Sequence, residues 1–128
     1  MRNKFRAIKT QIGERVFASK AEAARYVYLQ QLEDEDAIYQ LECQPKFQLY
    51  GKGREGVKYV ADFSYWKRTP DKPTCAEHIV EDVKGFLTRN SKDKIKAMKA
   101  LHNIDVQIIK MNPRTVDALI KGYLGARK

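Results

Sequence analysis

The sequence predicts a mixed α/β domain, and three observations carry that prediction. Helix-forming segments with apolar residues at three- and four-residue steps lie on either side of a run of short, alternating apolar segments. Gly- and Pro-containing turns separate those segments. The 128 residues, 43% of them hydrophobic, suffice for one core and leave little room for a second. The expected order is helix, three strands in a meander, a further strand, helix, strand, helix.

Met1 to Arg15 shows no clear periodicity and many basic residues, so residues 1–15 are expected to form an extended or flexible arm ahead of a single domain over 16–128. Ser19 is placed to cap a helix, with Glu22 at the capping-box position. Behind it, Ala23, Tyr26, Val27 and Gln30 step at helical spacing, and Leu29 and Leu32 widen the stripe. Ala37 to Gln44 reads as a strand that stops at Pro45, and Lys46 to Tyr50 alternates again. The Gly-rich run 51–56 is a turn, and Val57 to Trp66 is the strongest strand signal in the chain. Lys67 to Ala76 contains Pro70 and Pro73 and is expected to be a loop, followed by a strand from Glu77 to Lys84. Ser91 is expected to cap a helix over Lys92 to His102 with a core face of Ile95, Met98 and Leu101. A short strand over Asp105 to Met111 and a helix opened by Pro113 complete the order.

Charge narrows the function classes. Lys and Arg total 25 against 16 Asp and Glu, a formal charge of +9 and a pI near 9.6. The excess is concentrated before Lys20 and after Gly85, with an acidic island between Ala21 and Cys43. That imbalance favours a polyanionic partner, with nucleic acid first. No run approaches a membrane span, and no hydrophobic signal core opens the chain, so no membrane partner is expected. Cys43 and Cys75 stand apart from any Cys or His at metal spacing, as expected for free thiols in a reducing cytoplasm. His78 and His102 also lack partners at ligand spacing.

The chemistry concentrates on two strands. Asp62 interrupts an apolar run, where a lone carboxylate is costly unless paired or bound to a cation. Side chains two apart share a strand face, so Asp82 and Lys84 point together while Glu81 and Val83 turn away. Two carboxylates and a lysine can hold Mg²⁺ or Mn²⁺ through hard oxygen ligands and steady the charge developing on a phosphate. An Asp82–Lys84 surface pair, with Asp62 at a bulge, is the alternative on spacing alone.

The wording around these residues resembles a known family. Phe17-Ala-Ser-Lys-Ala-Glu-Ala-Ala-Arg-Tyr26, Leu41-Glu-Cys-Gln-Pro-Lys-Phe47, Tyr59-Val-Ala-Asp-Phe63 and Ile79-Val-Glu-Asp-Val-Lys-Gly85 are similar, in order, to small phage-encoded proteins. Those proteins are catalogued as a domain of unknown function within the PD-(D/E)XK nuclease superfamily. The resemblance implies a restriction-endonuclease-like fold, a central mixed sheet of four to five strands flanked by helices. It also implies that Glu22, on the first helix, joins Asp62 and Asp82 as a metal ligand beside Lys84. For Glu22, capping or a pairing with Arg25 is the other reading. Gln44 and Lys46 match a motif that approaches the phosphate, although strand-end packing before Pro45 accounts for Gln44 equally well. The motif's proline is absent, since Ala61 precedes Asp62.

The leading functional expectation is thus a Mg²⁺- or Mn²⁺-dependent DNA endonuclease, structure-specific for branched DNA or junctions, working in the host cytoplasm during phage replication or recombination. Arg2, Lys4 and Arg6 in the arm, and Lys92, Lys96 and Lys99 on one helical face, are expected to follow the phosphate backbone. No small-molecule cofactor beyond the metal is expected. A homodimer is expected if the substrate is a junction, with Val116, Leu119, Ile120 and Tyr123 offering either a self-complementary face or cover for the sheet. The alternative is a non-catalytic DNA-binding accessory protein that retains the nuclease fold.

Overall fold

In the computed structural model, residues 9–50, 56–69, 72–85 and 87–126 are described, without the side chains of 72–75. Arg2, Lys4 and Arg6 of the expected arm lie outside them. The fold is mixed α+β, with three helices around a central mixed sheet of four strands.

The arm reading does not extend to Arg15. Thr10–Ile12 (β1) and Arg15–Phe17 (β2) form an antiparallel hairpin. Gly13 supplies its turn with φ of +61°, a conformation that costs glycine nothing. Ile12 and Phe17 are buried against the first helix, so this hairpin belongs to the domain.

That helix is Lys20–Asp34 (α1), and Ser19 caps it as expected, its hydroxyl accepting from the Glu22 N–H at 3.1 Å. Ala23, Ala24, Tyr26, Val27 and Leu29 are its buried side chains. Ile38–Cys43 (β3) and Lys46–Tyr50 (β4) follow on either side of the Pro45 bend.

The expected single strand from Val57 to Trp66 is two strands. Val57–Val60 (β5) pairs with β4, whereas Phe63–Thr69 (β6) crosses into the main sheet beside β3. Asp62 therefore sits at the joint between two sheets, where its side chain replaces ladder hydrogen bonds.

The expected loop over Lys67 to Ala76 is largely strand instead: β6 continues to Thr69, and Lys72–Val83 (β7) pairs back against it. Pro70 lies outside the described residues. The register shifts between the Arg68–Ala76 and Thr69–Lys72 pairs, so Pro73 lies in a stretch of β7 outside the regular ladder.

Arg89–His102 (α2) starts earlier than Ser91 implies. Thr88 is the cap, accepting from the Ser91 N–H at 3.1 Å, and Asn103 closes the helix in the left-handed region. Ala97 and Met98 form its buried face, while Leu101, expected in the core, is 52% exposed. Gln107–Ile109 (β8) adds to β7 in parallel, giving the order β3-β6-β7-β8. Pro113–Ala126 (α3) ends the described chain.

The sheet separates two cores. On one face Phe63 and Tyr65 pack with α1, the β1–β2 hairpin and Val116 and Ile120 of α3, with Leu119 and Tyr123 against them. Those four α3 residues therefore cover the domain's own core and do not form a free self-complementary face. On the other face Val80 packs with Leu49, Tyr59 and Ala61 from the small sheet and Ala97 and Met98 from α2. Among the described residues no helix is long and apolar enough to cross a membrane. Cys43 is a half-buried free thiol, and the Cys75 side chain lies outside the described set.

Candidate active site

The joint at Asp62 is built from interlocking hydrogen bonds. The Ala61 N–H donates to the Pro45 carbonyl at 3.1 Å, and the Gln44 N–H to the Asp62 carbonyl at 2.9 Å. The Asp62 N–H is shared between the Glu81 carbonyl at 3.2 Å and Asp82 Oδ1 at 2.9 Å. In return Asp62 Oδ2 accepts from the Val83 N–H at 2.8 Å. Each aspartate thus ties down the backbone beside the other, and the two strands carry both carboxylates as one unit.

Asp82 is 2% exposed, and three donors balance its burial. Besides the Asp62 N–H, the Tyr59 hydroxyl donates to Asp82 Oδ2, and Lys84 Nζ stands 3.8 Å from the same oxygen. Strand alternation therefore brings Asp82 and Lys84 together as expected, while the Lys84 N–H holds β8 through the Ile109 carbonyl at 3.0 Å. Burial and the bond to Asp82 push the Tyr59 phenol well above its ordinary range, so it stays a donor. The sequence signal for this role is the position of Tyr59 three residues before Asp62.

Glu22 faces the same carboxylates from the first turn of α1. Burial raises its carboxyl above the ordinary value, as does the Asp82 charge, against the Ala18 backbone, Lys84 and the Ser19 hydroxyl. The Glu22 N–H is the one that Ser19 caps, and its carboxyl feels the charges of Asp82 and Lys84. Its proposed partner Arg25 instead reaches Glu81, with Nε at 2.6 Å from Oε1 and Nη2 at 2.9 Å from Oε2. Glu81 is fully buried on the far face, where it also accepts from the Tyr65 hydroxyl at 2.8 Å. Sequence reasoning turned Glu81 away from Asp82 but did not find this pair.

Asp62 is the most perturbed carboxyl of the group. Burial first, then the charges of Glu22 and Asp82, push it up to about 7 from an ordinary 3.8, against the Val83 N–H and Lys84. Asp62 Oδ1 accepts no hydrogen bond from a described residue, and no buried side-chain oxygen among them lacks a partner.

This donor set suits one kind of ion. Among the described residues no three His, Cys, Asp or Glu side chains form a ready-made metal cluster. Mg²⁺ needs no such cluster, since it keeps most of its waters and takes one or two carboxylates. Three mutually repelling carboxylates beside one lysine are a charge set that such a hydrated hard cation would offset. Asp62 and Asp82 would hold it, with Glu22 across from them.

The expected DNA contacts divide. Gln44 is exposed and adjoins Asp62 through its backbone, with φ of +54°, an unusual conformation for a non-glycine residue. Lys46 is exposed at the start of β4, opposite Val60. Lys92, Lys96 and Lys99 are exposed on α2, which packs on the sheet face that carries Asp82. Lys99 is engaged with Asp105 at 2.9 Å. The clefts of about 460 Å³ beside Tyr123 and about 320 Å³ beside Trp66 do not include Asp62 or Asp82.

No curated protein and no solved structure matches the chain. A family model does: the one described as a protein of unknown function (DUF1064) matches residues 2–114, and the chain belongs to that family.

Proposed function

We propose that this protein is a metal-dependent DNA endonuclease of the PD-(D/E)XK type, encoded by a phage and acting on branched or otherwise structured DNA. The observation that carries the reading is the Asp62–Asp82 interlock, with Lys84 at 3.8 Å from Asp82 and Glu22 facing the pair. Hydrogen bonds within the chain balance Asp82, but Asp62 keeps a strongly raised carboxyl beside two like charges, and carboxyls perturbed in this way cluster at functional sites. Nucleic-acid binding alone gains nothing from carboxylates set against phosphate.

A bound divalent cation supplies Lewis-acid polarisation of the phosphate and an acidified water. The chain's own residues do the rest. Asp62 and Asp82 would hold the ion, and the Tyr59 hydroxyl and Asp62 N–H fix the Asp82 carboxylate. Lys84 offers its ammonium to the negative charge that grows on the phosphate. Lys92, Lys96, Lys46 and Gln44 lie where the flanking backbone would run.

Lys84→Ala is expected to lower cleavage by about 10²–10³-fold, the usual cost of one charge-stabilising donor. DNA affinity and folding should change little, and single-turnover rates alongside binding and circular dichroism check this. Replacing Lys92 and Lys96 by Ala should weaken binding to all sequences alike and flatten the salt dependence by roughly one unit of slope for each phosphate no longer neutralised. An unchanged slope would leave α2 without a part in binding.

One observation favours a second reading, the non-catalytic accessory protein: both oxygens of Asp82 already accept hydrogen bonds within the chain. The experiment that separates the two uses labelled linear duplex, single strand, flap and four-way junction, each with Mg²⁺, Mn²⁺ or EDTA. Metal-dependent cutting that disappears in Asp82→Ala supports the nuclease. Salt-sensitive binding without cutting under every metal supports the accessory protein.

A further inference from the structure

We propose that the part of the sheet face beyond Asp82 is a subsite for one unpaired nucleobase of a DNA strand, stacked at Trp66. The proposal rests on the nuclease reading for its substrate and adds where a base is held. Side chains alternate regularly along β7, so His78, Val80 and Asp82 share one face. Val80 is covered by α2 and the small sheet. Farther along, the face opens into a cleft of about 320 Å³ lined by Gln40, Leu41, Glu42, Ser64, Trp66 and His78.

The cleft has the parts that recognise a base. The Trp66 and His78 rings stack with centroids 4.7 Å apart and planes 24° from parallel, so each steadies the other and a base would extend the stack on an outer ring face. Polar groups stand around it: the Gln40 amide, the Glu42 carboxylate and the Ser64 hydroxyl, which donates to Glu42 Oε2 at 3.5 Å. A bulge in β3 brings Gln40 and Leu41 there. Two residues lie between the Tyr39–Trp66 and Glu42–Ser64 pairs on β3 against one on β6, and Gln40 takes φ of +54°.

Charge decides which part of a nucleotide enters. A carboxylate repels phosphate, so the backbone must pass outside while the base turns in. Glu42 only accepts hydrogen bonds, which favours a base edge carrying an amino group, such as cytosine N4, over thymine. The four steps from His78 to Asp82 span about 13 Å at strand rise, a few nucleotides from the carboxylates. A base in a duplex is stacked on its neighbours and cannot enter, so the cleft selects an unpaired one.

Trp66 is the chain's one tryptophan, so intrinsic fluorescence reads this cleft directly. The experiment titrates the full chain in EDTA with short oligo-dC, oligo-dT, their duplex counterparts and free dCMP, following emission and the anisotropy of labelled strands. The expected result is saturable quenching by oligo-dC at lower concentration than by oligo-dT, and none by duplex. Glu42→Gln should erase the dC preference while keeping the quench. Trp66→Leu should weaken single-strand binding by roughly tenfold, within the range for removing one base–aromatic stack. Strand binding seen by anisotropy with Trp66 emission unchanged would overturn the subsite and leave the nuclease reading standing. So would quenching by dCMP as strong as that by the strand, because the ligand would then be a free nucleotide. Base-selective quenching by a protein that cuts nothing under any metal would keep the subsite and overturn the nuclease.

Discussion

Asp62→Asn is expected to abolish metal-dependent cleavage, to leave DNA binding unchanged or tighter, and to raise the thermal stability of the metal-free protein at pH 8. All three follow from one buried carboxylate. Its Oδ2 accepts from the Val83 N–H, Oδ1 is the oxygen it would offer to a cation, and its charge lies among those of Glu22 and Asp82. In the folded chain Asp62 titrates near 7, well above its ordinary 3.8. A group whose folded pKa is raised contributes stability that is complete below its unfolded value and is lost as pH rises through the folded one. For Asp62 that window runs from about pH 4 to about pH 7, so at pH 8 the ionised side chain weakens the metal-free fold. Asparagine keeps the shape and an oxygen for the Val83 N–H but carries no charge. The stability gain should therefore be clear at pH 8 and vanish near pH 4. Melting curves at both values check this, and a variant that is less stable at pH 8 would show that Asp62 is held for structure.

Arg25→Met is expected to destabilise the protein by about 3–5 kcal/mol, the range for removing one partner of a buried ion pair. Glu81 has a side chain only 1% exposed, and without the guanidinium it keeps the Tyr65 hydroxyl as its side-chain donor. The Arg25 side chain is 17% exposed and can turn toward water, so Glu81→Gln should cost less. In the double variant Arg25→Met/Glu81→Leu most of the stability should return, because no buried charge remains. Urea unfolding checks it through a lower midpoint at constant slope. A change under about 1 kcal/mol for Arg25→Met would place this pair among weak surface bridges.

Local patterns carried much of this molecule. The Ser19 cap, the start of α3 at Pro113 and the common face of Asp82 and Lys84 are readable because each depends on residues within one turn or one strand step. Asp62 stood out because a carboxylate in an apolar run needs a reason. Its actual setting was not readable, since the break after Val60 depends on β5 and β6 pairing with different sheets. The β1–β2 hairpin was hidden by strands of three residues, too short to show alternation, although Gly13 marked its turn. The proline-bearing stretch after Lys67 reads as a loop because a proline-tolerant irregularity in a long hairpin gives the same local signal. The Arg25–Glu81 pair joins residues 56 apart, a distance over which spacing says nothing. Leu101 has the right helical phase for the core, but α2 packs through Ala97 and Met98 and leaves it outside.

The most direct test of the metal site is calorimetric titration of the chain and of Asp62→Asn with Mn²⁺ at pH 6 and pH 8. Mn²⁺ should bind the native chain more tightly at pH 8 than at pH 6, with a proton released at pH 6, because Asp62 must ionise to act as a ligand. Asp62→Asn should bind weakly at both. Equal affinity for the two proteins, without dependence on pH, would contradict a cation held at Asp62 and Asp82.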